Sequence, residues 1–282
     1  MTQTVPLEQA IQENLWSGCS VAFEGFTHLI PFAAAHELIR SGIGDLTIMR
    51  MTPDVIYDQL VGVGAARKLI FSYAGNPGVG LLRRIRDAVE NDWPHKLEIE
   101  EHSHSAMANA YEAGAANLPF AVLRGYQGPG LADVNDNIRT VTCPFTGEEL
   151  AAVPSLRPDV AVIHAQRADR LGNVLLEGIV GVSRHVALAA CRTIVTVEEV
   201  VDDLDCHTNS RVLPAFTVDA ISVVPGGAHP SYAHGYYERD NAFYIAWDAI
   251  SSDRKRFLEW IDEHVHGAGP EDFRARVKNC RL

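Results

Sequence analysis

The apolar and polar positions of this chain switch repeatedly between a helical period and a strand-like run. Residues 7–15 carry apolar side chains at helical spacing and end at Ser17-Gly18, which predicts an amphipathic helix. Ser20-Val21-Ala22-Phe23 reads as a short buried strand, and residues 32–40 return to the helical period. The turn Glu24-Gly25-Phe26-Thr27-His28-Leu29-Ile30-Pro31 joins them. Residues 45–51, 68–73, 97–100 and 120–123 read as further strands, alternating with helical patterns at 55–61, 81–90 and 105–116. A second Gly-rich turn is Gly75-Asn76-Pro77-Gly78-Val79-Gly80. A third, Gly125-Tyr126-Gln127-Gly128-Pro129-Gly130, opens a loop-rich excursion near 125–155. The apolar runs 160–164, 193–197 and 220–224 suit strands buried on both faces, and 251–264 suits a late helix. Repeated alternation of this kind predicts the α/β class: an open, mostly parallel wound sheet flanked by helices. It is read as a single domain over 1–282, without internal repeat or long linker.

Composition narrows the partners. The chain has 282 residues, 47% hydrophobic and 21% charged, as in a globular protein. Its formal charge of -12 disfavours nucleic acid or an anionic membrane surface as main partner. Cys19, Cys143, Cys191, Cys206 and Cys280 form no CxxC pair, which argues against a disulfide scaffold or zinc site and suits a reducing compartment. With no signal-peptide pattern and no apolar run near ~20 residues, a cytoplasmic location is expected.

The Gly25 turn is the first site candidate. A Gly at the carboxyl end of a strand permits a tight turn and close approach of a ligand, and open α/β sheets bind ligands there. An ordinary strand-helix turn is the alternative. Glu98, Glu100, Glu101, His102 and His104 cluster at another strand end. They are either an acidic exposed edge or a carboxylate beside an imidazole, fit for general-base work. His229, Tyr232, His234, Tyr236, Tyr237 and Arg239 crowd one stretch. Their spacing does not match a zinc site, so an ordered loop or an interface is expected and no metal. Ser103 and Ser105 stand in no nucleophile motif, so a serine hydrolase is disfavoured.

Several motifs carry a resemblance. Glu24 to Pro31, Arg50-Met51-Thr52-Pro53-Asp54, the Gly75 turn and Cys143-Pro144-Phe145-Thr146-Gly147-Glu148 are among them. The second half adds Asp159 to Gln166, Ala168-Asp169-Arg170-Leu171-Gly172-Asn173-Val174, Val195-Thr196-Val197-Glu198-Glu199 and Pro225 to Asn241. Together they resemble the A subunits of the two-subunit family I CoA-transferases, of the 3-oxoadipate and glutaconate types. The family's Gly-Gly-Phe signature is altered here, since Glu24 replaces the first Gly and the spacing to Pro31 is contracted.

The resemblance implies a division of labour. Such enzymes attack a CoA thioester with a glutamate that lies in a Ser-Glu-Asn-Gly setting on the B subunit, and this chain has no such tetrapeptide. No catalytic residue is therefore expected here, and the chain is expected to need a CoA-transferase B subunit, in an A2B2 assembly. The implied substrates are an acyl-CoA and a dicarboxylic acid: succinyl-CoA and 3-oxoadipate, from aromatic-compound degradation. CoA is a substrate, and no cofactor is implied. Substrate or CoA contacts are expected from Gly25, Phe26 and Thr27, whose N–H groups suit a developing oxyanion, and from Asn76 and Glu101. Asn76 also reads as a turn-former before Pro77. The glutaconate type is one rival. A CoA-thioester ring-opening hydrolase with Glu101 as its base is another, and a lone acyl-CoA binding module is a third.

Overall fold

In the computed structural model, which describes residues 3–76, 79–126, 130–269, 271–272 and 275, strands and helices alternate from the start. Strand β1 (Gln3–Thr4) leads through α1 (Leu7–Asn14) to β2 (Ser20–Glu24), α2 (Phe32–Ser41) and β3 (Leu46–Arg50). Then come α3 (Val55–Gly62), β4 (Ala66–Phe71), α4 (Arg83–Glu90), β5 (Glu98–Glu101) and α5 (His104–Ala115). β6 (Phe120–Leu123), α6 (Leu131–Val134), β7 (Arg139–Thr142) and β8 (Glu149–Pro154) precede the long strand β9 (Val160–Asp169). The rest comprises β10 (Val174–Leu176), α7 (Ser183–Ala189), β11 (Arg192–Val201), β12 (Arg211–Leu213), β13 (Ala220–Val223), α8 (Asn241–Ser251) and α9 (Arg254–Ile261).

Among the described residues the main sheet has 10 strands, ordered β1-β13-β11-β9-β2-β3-β4-β5, with β10 and β12 attached beside β9. Every neighbouring pair along that path is parallel, while β10 pairs antiparallel with β9 and β12. From β2 the chain moves outward through β3, β4 and β5, then re-enters on the other side of β2 as β9. The order of strands reverses between β2 and β9, the kind of crevice where ligands bind in open α/β sheets.

Alternation along β2 fixes two layers. Val21 and Phe23 face a core shared with α1, α2, α3, α4, α8 and α9. Ala22 faces the opposite core, built with α5, Val186 of α7 and Val153 of β8. With both faces covered, β3 is buried along its whole length.

Some boundaries differ from the sequence reading. The stretch near 125–155 holds β7 and β8, which pair with β6 in a separate antiparallel sheet ordered β6-β8-β7. Phe120–Leu123 therefore lies outside the main sheet. These strands are short and mostly exposed or half-buried on both faces, so they lack the apolar run that marks a core strand. The late helix expected over 251–264 is divided. Ser251 ends α8, Asp253 caps α9 by accepting from Arg256 N, and a π-helical stretch covers Asp262–His266. The strand expected at 97–100 is shifted to Glu98–Glu101.

Candidate functional site

The turn after β2 lies at the reversal of strand order. Gly25 is required there by packing. A Cβ on it would sit 2.6 Å from Leu29 O and 2.8 Å from His28 O, so no side chain fits. Thr27 and Leu29 adopt left-handed backbone angles, φ 59° and 54°, sparsely populated by such residues.

Three segments hold the turn in that conformation. Arg50, at the end of β3, donates to Gly25 O from Nη2 and to Asp54 Oδ1 from Nη1 at 3.0 Å. The loop after β13 supplies Ser231 Oγ, which donates to Thr27 O at 3.0 Å, and Tyr232 O, which accepts from Leu29 N at 3.0 Å. The loop before α7 places Gly181 against Phe26, where a Cβ would be 2.7 Å from the Phe26 Cβ. His28 joins the last two segments. Its Nε2 accepts from His234 N at 3.0 Å and its Nδ1 lies 3.2 Å from Ile179 O. An acceptor role for Nε2 and a donor role for Nδ1 describe a neutral imidazole. Burial agrees, lowering His28 to about 4 against the pull of the Ile179 carbonyl.

The turn is open to solvent only in part. Phe26 and Thr27 are half-buried while Gly25, His28, Leu29 and Ile30 are buried. Among the described residues the Phe26 and Thr27 N–H groups make no hydrogen bond. Two N–H groups without a protein partner are what a ligand oxygen would require to be stabilised as negative charge develops on it.

Behind the turn lies an unusual charge set. Glu24 is buried, and burial raises it to about 7, only partly offset by Arg50. The Gly25 and Met51 backbone N–H groups lie near enough to lower it, although neither oxygen gains a well-aligned hydrogen bond. For Arg50, burial opposes the charge, but Asp54 and then Glu24 outweigh it and raise the pKa. One guanidinium faces two carboxyls, and burial pushes both towards the neutral form: Glu24, which Arg50 does not bond, to about 7, and Asp54 upward as well despite its bond to Arg50.

Asn76 turns inward. It is 2% exposed and donates from Nδ2 to Tyr244 O at 2.7 Å, which ties the second turn to α8. Its structural role is thus visible; Pro77 and Gly78 of that turn lie outside the described residues, as do Gln127, Gly128 and Pro129 of the third. Glu101 is exposed at the end of β5 and lines a cavity of about 380 Å³ with Lys68, Glu98, Glu100, Asn135 and Asn137. The carboxylate beside an imidazole is Glu100, not Glu101: Glu100 Oε1 is 2.8 Å from His102 Nε2. Lys68 bonds Glu98 at 2.7 Å and Glu100 at 2.9 Å. Burial opposes ionisation of Glu100, but the bonds from His102 and Lys68 prevail and hold it at about 2. The period-2 rule places 98, 100 and 102 on one face, so this pairing was readable from the alternation.

Strand order sets the Gly25 turn and Glu101 on the same edge, three strand intervals apart, on the order of 14 Å. They are not in contact. The sequence reading overlooked Arg50 and Asp54 as site-supporting residues, although a charged residue ending the apolar strand Leu46–Arg50 is a usable signal. It also overlooked the buried set in which His164 Nε2 meets Glu198 Oε1 at 2.8 Å and Nδ1 meets Thr196 Oγ1 at 2.8 Å. Glu198 further accepts from Gly226 N and Tyr237 OH, so the set anchors the loop that clamps the Gly25 turn. The aromatic and His-rich stretch is that loop. Among the described residues no three His, Cys, Asp or Glu side chains are placed to hold a metal. No helix of the described residues is long and apolar enough to cross a membrane.

Comparison with known proteins agrees with the fold and gives the family. Residues 4–223 match the family described as Coenzyme A transferase. The chain is 60% identical to the A subunit of a 3-oxoadipate CoA-transferase of Pseudomonas knackmussii, over 98% of this chain and 99% of that one. It superposes on the crystal structure of glutaconate coenzyme A-transferase from Acidaminococcus fermentans with TM-score 0.91 and 33% identity, covering 98% of this chain and 92% of the other. It is 26% identical to a cholesterol ring-cleaving hydrolase IpdA subunit of Rhodococcus jostii, over 97% of this chain and 95% of the other.

Proposed function

Since the chain belongs to the coenzyme A transferase family, we propose that it is the A subunit of an enzyme moving CoA from succinyl-CoA to 3-oxoadipate. The observation that carries the reading is the 60% identity across 98% of the chain to a protein named for that acceptor. The products are 3-oxoadipyl-CoA and succinate. The attacking glutamate belongs to a B subunit, and two copies of each chain form the cytoplasmic assembly.

In this reading the partner's carboxylate attacks the thioester carbon and forms an acyl anhydride with release of the CoA thiolate. The thiolate then attacks the glutamyl carbonyl, freeing succinate and leaving a glutamyl thioester. The second acid reverses these steps and leaves as its own thioester. Negative charge develops on a carbonyl oxygen at each addition, and the Phe26 and Thr27 N–H groups receive it. Gly25 keeps the backbone close enough to do so. The chemistry calls for no metal or organic cofactor.

The test is a panel of dicarboxylic acids offered to the two-subunit enzyme with succinyl-CoA or acetyl-CoA as donor. With succinyl-CoA, 3-oxoadipate is expected to exceed glutaconate in kcat/KM by at least about tenfold, a difference of ~1.4 kcal/mol. Preference for glutaconate would assign the chain to the other branch. A second reading has one observation behind it: Glu101 lines an open cavity at the same sheet edge, and a ring-cleaving hydrolase is a distant relative. The same panel run on Glu101→Gln separates the two. A transferase still labels the glutamate on its partner, whereas a hydrolase using Glu101 loses its reaction.

A further inference from the structure

One peptide group in the Gly25 turn owes its direction to a side chain that solvent barely reaches. Arg50 is 1% exposed, and its guanidinium spans two acceptors, Gly25 O and, at 3.0 Å, Asp54 Oδ1. Asp54 is fixed in turn as the N-cap of α3, where it accepts from Ile56 N at 3.3 Å. The Gly25 carbonyl and the Phe26 N–H belong to one peptide plane, which is trans. In a trans peptide those two groups point in opposite directions. Gripping the carbonyl on the β3 side therefore aims the Phe26 N–H away from it, on a residue that reaches solvent and whose N–H has no protein partner among those described.

The residue type matters to this grip. A guanidinium is a rigid fork able to hold two acceptors at fixed angles, whereas an ammonium is a point charge on a flexible stem. Left-handed Thr27, two residues on, gives the turn reason to relax once the carbonyl is released.

We propose that Arg50 is a positioning residue for CoA transfer: anchored by Asp54, it holds the Gly25 peptide so that the Phe26 N–H points at the carbonyl oxygen of the reacting thioester. The inference rests on the transferase reading above. Arg50 does not touch the substrate; it acts through the peptide that does.

The test uses the two-subunit enzyme, wild type and Arg50→Lys, each checked for assembly and melting temperature. The variant is expected to lose kcat by at least about tenfold and up to a thousandfold, the range for loss of an oxyanion donor. KM for the acyl-CoA should stay within about threefold. A residue with only a scaffolding role would lower the amount of folded enzyme and leave kcat per assembled site unchanged, and that result overturns the proposal. A second measurement needs no variant. Amide exchange of the 24–28 segment in the wild-type complex is followed with and without a CoA thioether that bears a ketone in place of the thioester. Slower exchange at Phe26 supports the proposal, and unchanged exchange overturns it. A wild-type complex that transfers no CoA would instead refute the transferase reading.

Discussion

Glu24 shows how one carboxyl can burden the fold that holds it. It is buried beside Arg50, Asp54, Tyr57 and Tyr111, and burial raises it to about 7 from the ordinary 4.5. Below pH 4.5 both folded and unfolded chains hold its proton, and stability does not depend on it. As pH rises from there to about 7, the unfolded chain releases the proton first, so stability falls. Glu24→Gln removes that loss. Relative to the wild type, the variant is expected to gain stability between pH 4.5 and 8, by up to ~3 kcal/mol at the top of the range. Urea midpoints measured across that range for both proteins check it, and a difference that does not change with pH refutes the assignment. Gly25 was legible because strand, glycine and helix follow one another in sequence. The grip of Arg50 on it was not, because the two residues are 25 positions apart and only the pairing of β2 with β3 joins them.

At the scale of elements, buried polar side chains set how the helices meet. Asp58, on α3, accepts from Arg84 N at 2.8 Å, Ile85 N at 2.9 Å and Trp247 Nε1 at 2.9 Å. It thereby ties α3 to the start of α4 and to α8. Asp58→Ala leaves those donors buried and unpaired, and a loss of about 3 kcal/mol or more is expected, read from chemical denaturation. Asp58→Asn keeps one carbonyl oxygen and should lose less. The same scale explains which elements escaped the sequence reading. Asn241–Ser251 is rich in aromatic residues, and its helix is settled by Tyr244 and Trp247 entering the core. The strands β10 and β12 are three residues each and become visible only through their pairing.

Among the described residues the central strands are covered on both faces, and the candidate site lies at the carboxyl ends of the parallel strands. Parallel order places the ends of β2, β3, β4 and β5 side by side, and the reversal beside β9 opens the crevice at Gly25. In the function proposed above, a B subunit completes the site, in keeping with a sequence that holds no Ser-Glu-Asn-Gly setting. The isolated chain is accordingly expected to fold, with one cooperative unfolding transition, yet to exchange CoA at under about 1% of the complex's rate, a barrier difference of ~2.7 kcal/mol or more. Mixing with the partner should restore activity. Full exchange by the chain alone would refute the shared site.

Local sequence determined the alternation of strands and helices, the buried parallel sheet and the glycine turn, because each depends on the period and chemistry of neighbouring residues. Tertiary structure decided which strand lies beside which, and hence that the turn falls where the strand order reverses. It alone joined Arg50 to Gly25 and His164 to Glu198. Side-chain periodicity says which face a residue takes, whereas the partner it meets there depends on how distant segments pack.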